Sequence, residues 1–347
     1  MKYISLFSGI EAATVAWKPL GWKAEAYAEI DPFPKAVLSH RYPHTPDLGD
    51  MTKVDWRKYR GTVDLVCGGS PCQAFSIAGL RKALDDPRGQ LMLEYLRACH
   101  EINPEWIVWE NVPGVLSADG GRAFGSLLAG VAELWPDGGA AWRVLDAQFF
   151  GVAQRRRRVF LVVNTRDWRR AAPVLFERES LRWDYPSSKK ARQALIGRPD
   201  ASIGATARST DLTEDPGPAP ALTARMGAGG NIYCATDSGT NMAVGVDVSP
   251  TLTAHDGNSA CFVNVPATGS ADAFAVRRLT PVECERLQGF PDGWTDVPWR
   301  GAEHAPDSKR YKALGNSMAV PVMRWIGEGI QSVEDDKGLF QENPGGR

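Results

Sequence analysis

Over the first half of the chain, short apolar runs alternate with amphipathic stretches. Residues 3–7 form a run of strand length that Ser8-Gly9 breaks, and residues 10–17 then carry apolar side chains at helical spacing. Gly21-Trp22 turns the chain into a second strand-like run, residues 24–30, which ends in Glu29-Ile30-Asp31. Residues 32–40 predict a second helix with Pro34 in its first turn. The same reading predicts strands over 63–67, 105–109, 142–150 and 158–164, and helices over 90–102 and 123–135. Such alternation predicts an α/β fold, a parallel sheet with helices on both faces.

The pattern changes after Asn164. Residues 166–198 are charged and mixed, and residues 201–271 are rich in Gly, Ser, Thr, Ala and Pro. Two echoing segments lie there, Pro220-Ala221-Leu222-Thr223-Ala224 and Pro250-Thr251-Leu252-Thr253-Ala254, too few for a solenoid. Regular pattern resumes with a helix start in which Thr280 is the cap, Pro281 the first position and Glu283 the partner of a capping box. An apolar helix is expected over 320–330, and the end of the chain is polar. The expected division is 1–164 as a first, larger domain, 165–304 as a smaller irregular β-rich domain, 305–330 as a helix returning to the first domain, and 331–347 as a polar tail.

Composition narrows the class. With 347 residues, 43% of them hydrophobic, the chain can bury a large core. A net charge of -1 removes any global basic signature, so a nucleic-acid surface must be local. The six cysteines include no CxxC pair, which fits a reducing cytoplasm better than a disulfide framework. The first residues are too short for a signal peptide, and no apolar run approaches membrane-spanning length.

The candidate chemistry gathers at strand ends. The third strand runs into Gly68-Gly69-Ser70-Pro71-Cys72-Gln73, with a long polar stretch behind it. The fourth runs into Glu110-Asn111-Val112, and Gln154-Arg155-Arg156-Arg157-Arg158 precedes the last. Parallel sheets place their ligand crevice at the carboxyl ends of the strands, so Cys72 and Glu110 are expected to meet there. Gly9 and Glu29 stand 20 positions apart, the spacing at which an acidic residue reaches a ribose, although no GxGxxG is present. Each feature also has a plainer reading. An isolated cysteine is commonly a small core residue, Glu110 could cap a turn, and the arginine run could be a solvated face. His40 and His44 are four apart, but nothing nearby completes a metal ligand set, and no metal is expected.

Taken together and in order, the segments Leu6-Phe7-Ser8-Gly9, Ser70-Pro71-Cys72-Gln73, Glu110-Asn111-Val112, Gln154-x-Arg156-x-Arg158, Leu279-Thr280-Pro281-x-Glu283 with Gly289-Phe290-Pro291, and Gly315-Asn316-Ser317 resemble the DNA (cytosine-5) methyltransferase family. The resemblance implies a Rossmann-like sheet that uses S-adenosylmethionine, and a target-recognition domain between the fourth and fifth segments. It implies Cys72 as the nucleophile on a flipped-out cytosine, Glu110 and Arg158 as groups that hold the base, and Arg156 as their support. Phe7, Gly9, Glu29, Ile30, Asp50, Pro71 and Asn316 match cofactor positions. Gln73, Ser76, Arg81 and Gln154 are expected to meet the DNA. Arg225, Asn231, His255 and Asn258 are candidates for reading bases in the major groove. Two departures stand out: Ser5 where many members are acidic, and Glu11-Ala12 where many have glycines. The implied partner is double-stranded DNA bound by a monomer in the cytoplasm of a bacterial or phage-infected cell, with a cognate restriction endonuclease as a candidate companion. A non-catalytic DNA-binding relative and an RNA methyltransferase are the competing readings; an NAD-dependent oxidoreductase is disfavoured by the missing GxGxxG.

Overall fold

The computed structural model describes residues 1–70, 90–176, 232–237, 242–245, 262–266 and 274–336. A six-stranded sheet forms its centre. The strands are β1 (Lys2–Leu6), β2 (Lys23–Ala28), β3 (Leu65–Gly68), β4 (Trp106–Asn111), β5 (Gly139–Asp146) and β6 (Arg157–Asn164), in the spatial order β2-β1-β3-β4-β6-β5. Strands β2, β1, β3 and β4 pair in parallel, whereas β6 runs antiparallel to both β4 and β5. The all-parallel sheet expected from the alternation is therefore corrected to a mixed one. Only residues 147–156 separate β5 from β6, and a parallel return needs a crossover of roughly a dozen residues or more. The reversal brings the start of β6 level with the carboxyl end of β4, where Asn111 pairs with Val159.

The described helices are α1 (Ala12–Trp17), α2 (Pro32–Arg41), α3 (Gln90–Ile102), α4 (Arg122–Leu134), α5 (Ala171–Leu175), α6 (Pro281–Gln288), α7 (Asp307–Asn316) and α8 (Val320–Asp335). They cover both faces of the sheet because successive strand residues point to opposite sides. Trp106 and Val108 join one core with Trp17, Leu287, Leu314, Met323 and Ile326. Ile107 and Trp109 join the other, with Tyr95, Leu96, Phe124 and Leu127. Strands buried on both faces read as continuous apolar runs, which is why they were legible in the sequence. The contact of α1 with α8 depends on size as well as polarity. Trp17 Nε1 donates to the Met323 carbonyl at 2.7 Å, and a Cβ on Gly327 would collide with that nitrogen.

The start of α6 is as expected: the Thr280 side chain accepts from the Glu283 amide and the Glu283 carboxylate accepts from the Thr280 amide. The C-terminal region differs from expectation in two ways. A separate helix, α7, precedes the apolar one, and α8 continues through residues 331–335, which were expected in the tail. Those last residues are polar but anchored: Trp22 Nε1 donates to Gln331 (2.9 Å) and Trp106 Nε1 to Glu334 (2.8 Å). Leu279, Cys284, Phe290 and Val297 belong to the same core as Trp17, although they lie on the middle-domain side of the boundary expected at residue 304. Within the middle region, strands β7 (Ile232–Asp237), β8 (Met242–Gly245), β9 (Phe262–Pro266) and β10 (Phe274–Arg278) form an antiparallel sheet in the order β10-β9-β7-β8, matching the β-rich expectation.

Candidate active site

The carboxyl ends of β1 to β4 and the start of β6 open on one cavity of about 440 Å³, which is within the range of small-ligand pockets. Phe7, Gly9, Glu29, Ile30, Asp50 and Asn316 line it, as do Glu110, Arg156 and Arg158. The geometry therefore brings together the expected cofactor residues and three of the four expected catalytic residues. Cys72 lies outside the described residues, as do Pro71, Gln73, Ser76, Arg81, Arg225, Asn231, His255 and Asn258.

The cofactor side is built on left-handed backbone. Phe7 and Gly9 have φ of 52° and 56°, so the turn after β1 curls tightly. Glycine adopts this at no steric cost, whereas a side chain such as that of Phe7 is strained there, a feature that gathers at ligand sites. Glu29 ties this turn to the next one. Its carboxylate accepts from the amides of Gly9, Ile30 and Asp31, each at 2.7 Å. A carboxylate has about four acceptor sites, so one remains for a ligand hydroxyl. Asp50 caps the turn Met51–Lys53, accepting from the Thr52 hydroxyl and amide, and Lys53 lies 3.2 Å from it. The Thr52 hydroxyl above all, then the Thr52 amide and Lys53, hold its carboxyl below the usual range.

Glu110 and Arg158 form a largely buried ion pair at the cavity wall. Arg158 Nε lies 3.1 Å from Glu110 Oε1, and their side chains are only 14% and 12% exposed. Burial raises the pKa of Glu110 against the opposing pull of Arg158 and Arg156, so its protonated form is within easier reach than for a surface carboxylate. Burial lowers that of Arg158, with Glu110 opposing. Gly69 explains itself here: a Cβ at that position would stand 2.8 Å from Glu110 Oε2.

Arg156 braces the site. Its guanidinium donates to the carbonyls of Gly315 (2.9 Å) and Ser317 (2.6 Å), and its amide donates to Asp146 (2.9 Å). These bonds dock the Gly315-Asn316-Ser317 turn, and with it Asn316, against the start of β6. Gln154, expected among the DNA contacts, is instead 0% exposed, with neither amide atom hydrogen-bonded among the described residues.

Several residues at the site were missed. Lys309, Lys312 and Asp31 also line the cavity, and Lys312 Nζ pairs with Asp31 at 3.0 Å across 281 positions of sequence. Asn111 donates to the Ser70 carbonyl at 2.9 Å. Its signal was visible: a buried amide directly after Glu110 at the end of an apolar strand needs a partner. Among the described residues no group of His, Cys, Asp and Glu could hold a metal ion, and no helix is long and apolar enough to cross a membrane.

A Rossmann-like α/β sheet with a cavity at its strand ends, walled by a carboxylate–arginine pair, has the architecture in which open α/β sheets bind small ligands. Comparison with known proteins narrows the class. The C-5 cytosine-specific DNA methylase family model matches residues 1–332, and the chain belongs to that family. That family is one of cytosine-5 DNA methylation, a reaction that in the family depends on S-adenosylmethionine. The type II methyltransferase M.HhaI of Haemophilus parahaemolyticus is 27% identical over 96% of this chain and 94% of its own length. A protein of Escherichia phage P1 named DNA N-6-adenine-methyltransferase is 37% identical over 94% of this chain, but this chain spans only 61% of that protein's length. In fold, the S. pombe Dnmt2 methyltransferase superposes with a TM-score of 0.60 over 96% of this chain and 99% of its own, at 17% identity.

Proposed function

We propose that the protein methylates C5 of a cytosine flipped out of duplex DNA, through a covalent adduct between Cys72 and C6 of the base. The observation that carries this reading is the Glu110–Arg158 pair at the wall of the cavity, with Gly69 packed against Glu110. Cys72 follows Gly69 by three peptide links, which reach at most about 11 Å. A tether of that length is compatible with a nucleophile acting beside the groups that would hold the base.

Cytosine C5 does not attack a methyl donor unaided. The Cys72 thiolate forms a bond to C6, and the C5–C6 double-bond electrons become available at C5. Only about 3% of an ordinary thiol is ionised at neutral pH, and the cationic field of Arg156 and Arg158 favours the anion. Glu110, with its raised pKa, donates a proton to N3 as the thiolate adds, and accepts from the exocyclic amino group. Arg158 holds O2 and balances the charge of Glu110. S-adenosylmethionine supplies an electrophilic methyl group, which C5 takes up. A base then removes the C5 proton, the C5–C6 double bond re-forms, Cys72 leaves as thiolate and the N3 proton returns to Glu110. Extrusion of the base from the duplex costs a few kcal/mol.

The cavity fits the cofactor. Its volume suits a nucleoside-sized ligand, Glu29 keeps an acceptor site for a ribose hydroxyl, and Asp50 presents an ionised carboxylate for an amino group on the adenine. Phe7, Gly9, Ile30, Pro71 and Asn316 complete the assignment. Target recognition is assigned to the part of 165–304 that lies outside the Trp17 core, with Arg225, Asn231, His255 and Asn258 as base-reading candidates.

The name of the phage P1 relative raises adenine N6 as a second target. One experiment separates the readings: nucleoside mass spectrometry on DNA from a methylase-deficient host expressing the protein or its Cys72→Ala variant. The proposal expects 5-methylcytosine with the wild type and none with the variant. N6-methyladenine without 5-methylcytosine would overturn it, as would an undiminished signal in the variant. Methylation found only in RNA would favour the RNA reading.

A further inference from the structure

The backbone ladder between β3 and β4 ends where Gly68 pairs with Trp109. Beyond that point side chains take over. Trp109 Nε1 donates to the Ser70 hydroxyl at 3.0 Å, and Asn111 Nδ2 donates to the Ser70 carbonyl at 2.9 Å. Trp109 and Asn111 are two apart on one strand and so present the same face. Both grips are fixed from behind. The Trp109 ring stacks on Phe124 of α4 at 6.1 Å with an interplanar angle of 26°, and Asn111 Oδ1 accepts from the Val112 amide at 2.8 Å. Trp109 is 0% exposed and Ser70 5%. The indole N–H has no acceptor role to fall back on, so displacing Ser70 would strand a buried donor.

We propose that Trp109 is a positioning residue: through its bond to the Ser70 hydroxyl it sets the point from which Cys72, two residues on, enters the site. This rests on Cys72 being the nucleophile. A loop root held at one atom can pivot. Held at both its hydroxyl and its carbonyl, Ser70 has a fixed orientation. The reaction gains because attack on C6 requires the sulfur within a few tenths of an ångström of its place, and a misplacement of 1 Å can cost about 100-fold in rate.

The test uses the full-length protein with Trp109→Phe, Ser70→Ala, Ser70→Thr and the Trp109→Phe/Ser70→Ala double variant. Two rates are followed: single-turnover methyl transfer, and covalent trapping on DNA containing 5-fluorocytosine. Each single removal is expected to slow adduct formation about 10-fold while leaving the KM for S-adenosylmethionine within about twofold. Ser70→Thr, which keeps the hydroxyl, should recover most of the rate. The double variant should be no slower than the worse single one, since both remove the same bond. Unchanged adduct rates in the singles, effects that multiply in the double, or losses that only track the folded fraction would overturn the positioning role. Cys72→Ala is the control. Turnover retained there overturns the nucleophile and the positioning role together, whereas turnover lost there but unchanged in Trp109→Phe overturns the positioning role alone.

Discussion

Replacing Glu11 with glutamine should change how the protein's stability depends on pH. Glu11 sits at φ 65° at the start of α1 and is 1% exposed. Its Oε1 accepts from the Thr14 amide (3.0 Å) and hydroxyl (3.1 Å), while Oε2 has no hydrogen-bond partner among the described residues. Burial, partly offset by the neighbouring Ser5 and Thr14 groups, raises its pKa from 4.5 to about 7. The folded protein therefore holds this proton more tightly than the unfolded chain. Below pH 4.5 both states are protonated and nothing is lost. As pH rises from 4.5 through 7 the unfolded chain ionises first, and stability falls by about 3 kcal/mol in all. Glutamine keeps the acceptor for Thr14 and cannot ionise. The stability of the variant relative to wild type should thus rise by about 2.5 kcal/mol between pH 5 and pH 8. Any fixed penalty for the new buried NH₂ group shifts the whole curve and leaves that slope untouched. Urea midpoints across this pH range measure it. A difference between the two proteins that stays constant within about 0.5 kcal/mol would refute the reasoning.

Glu285→Ala should destabilise the fold by about 3–5 kcal/mol, lowering the thermal midpoint by roughly 10 °C, because it strands buried Arg310 (3.1 Å away) and the amides of Gly293 (2.6 Å) and Thr295 (2.8 Å). Gly69→Ala should cost some stability, since its Cβ would stand 3.2 Å from the Glu110 backbone carbonyl, and lose about 10- to 100-fold in methyl transfer as the carboxylate, 2.8 Å away, is displaced. Parallel thermal-shift and turnover measurements separate the two effects. Glu110→Gln should lose at least about 100-fold in single-turnover rate, because the amide cannot supply the N3 proton; a loss confined to the KM for S-adenosylmethionine would place Glu110 outside the chemistry.

Much of the sheet was legible because its strands are buried on both faces and run apolar from end to end. The direction of β6 was not: hydrophobic pattern carries no sign, and only the short link from β5 reveals the reversal. Helix α7 escaped because its buried side includes Arg310, whose partner Glu285 lies 25 residues away. A charged residue on an inward face erases the amphipathic signal until its partner is known. Residues 331–335 read as tail for the same reason, their polar groups being held by tryptophans of β4 and of the turn before β2. At the site, Glu110, Arg156 and Arg158 were readable from motif order. The grip of Trp109 and Asn111 on Ser70 depends on strand register, which the sequence does not display. Glu11 looked like a departure from a glycine position, and its φ of 65° agrees with that, but its burial emerges only in three dimensions.

The central claim is a covalent bond between Cys72 and a cytosine in DNA. Fluorine at C5 cannot leave as a proton does, so DNA containing 5-fluorocytosine should trap the protein once the methyl group has moved. Incubation with that DNA and S-adenosylmethionine, followed by proteolysis and peptide mass spectrometry, should find the nucleotide on the peptide that carries Cys72 and nowhere else. Full methylation of unmodified DNA with no adduct on the fluorinated DNA, or an adduct at another residue, would contradict the account.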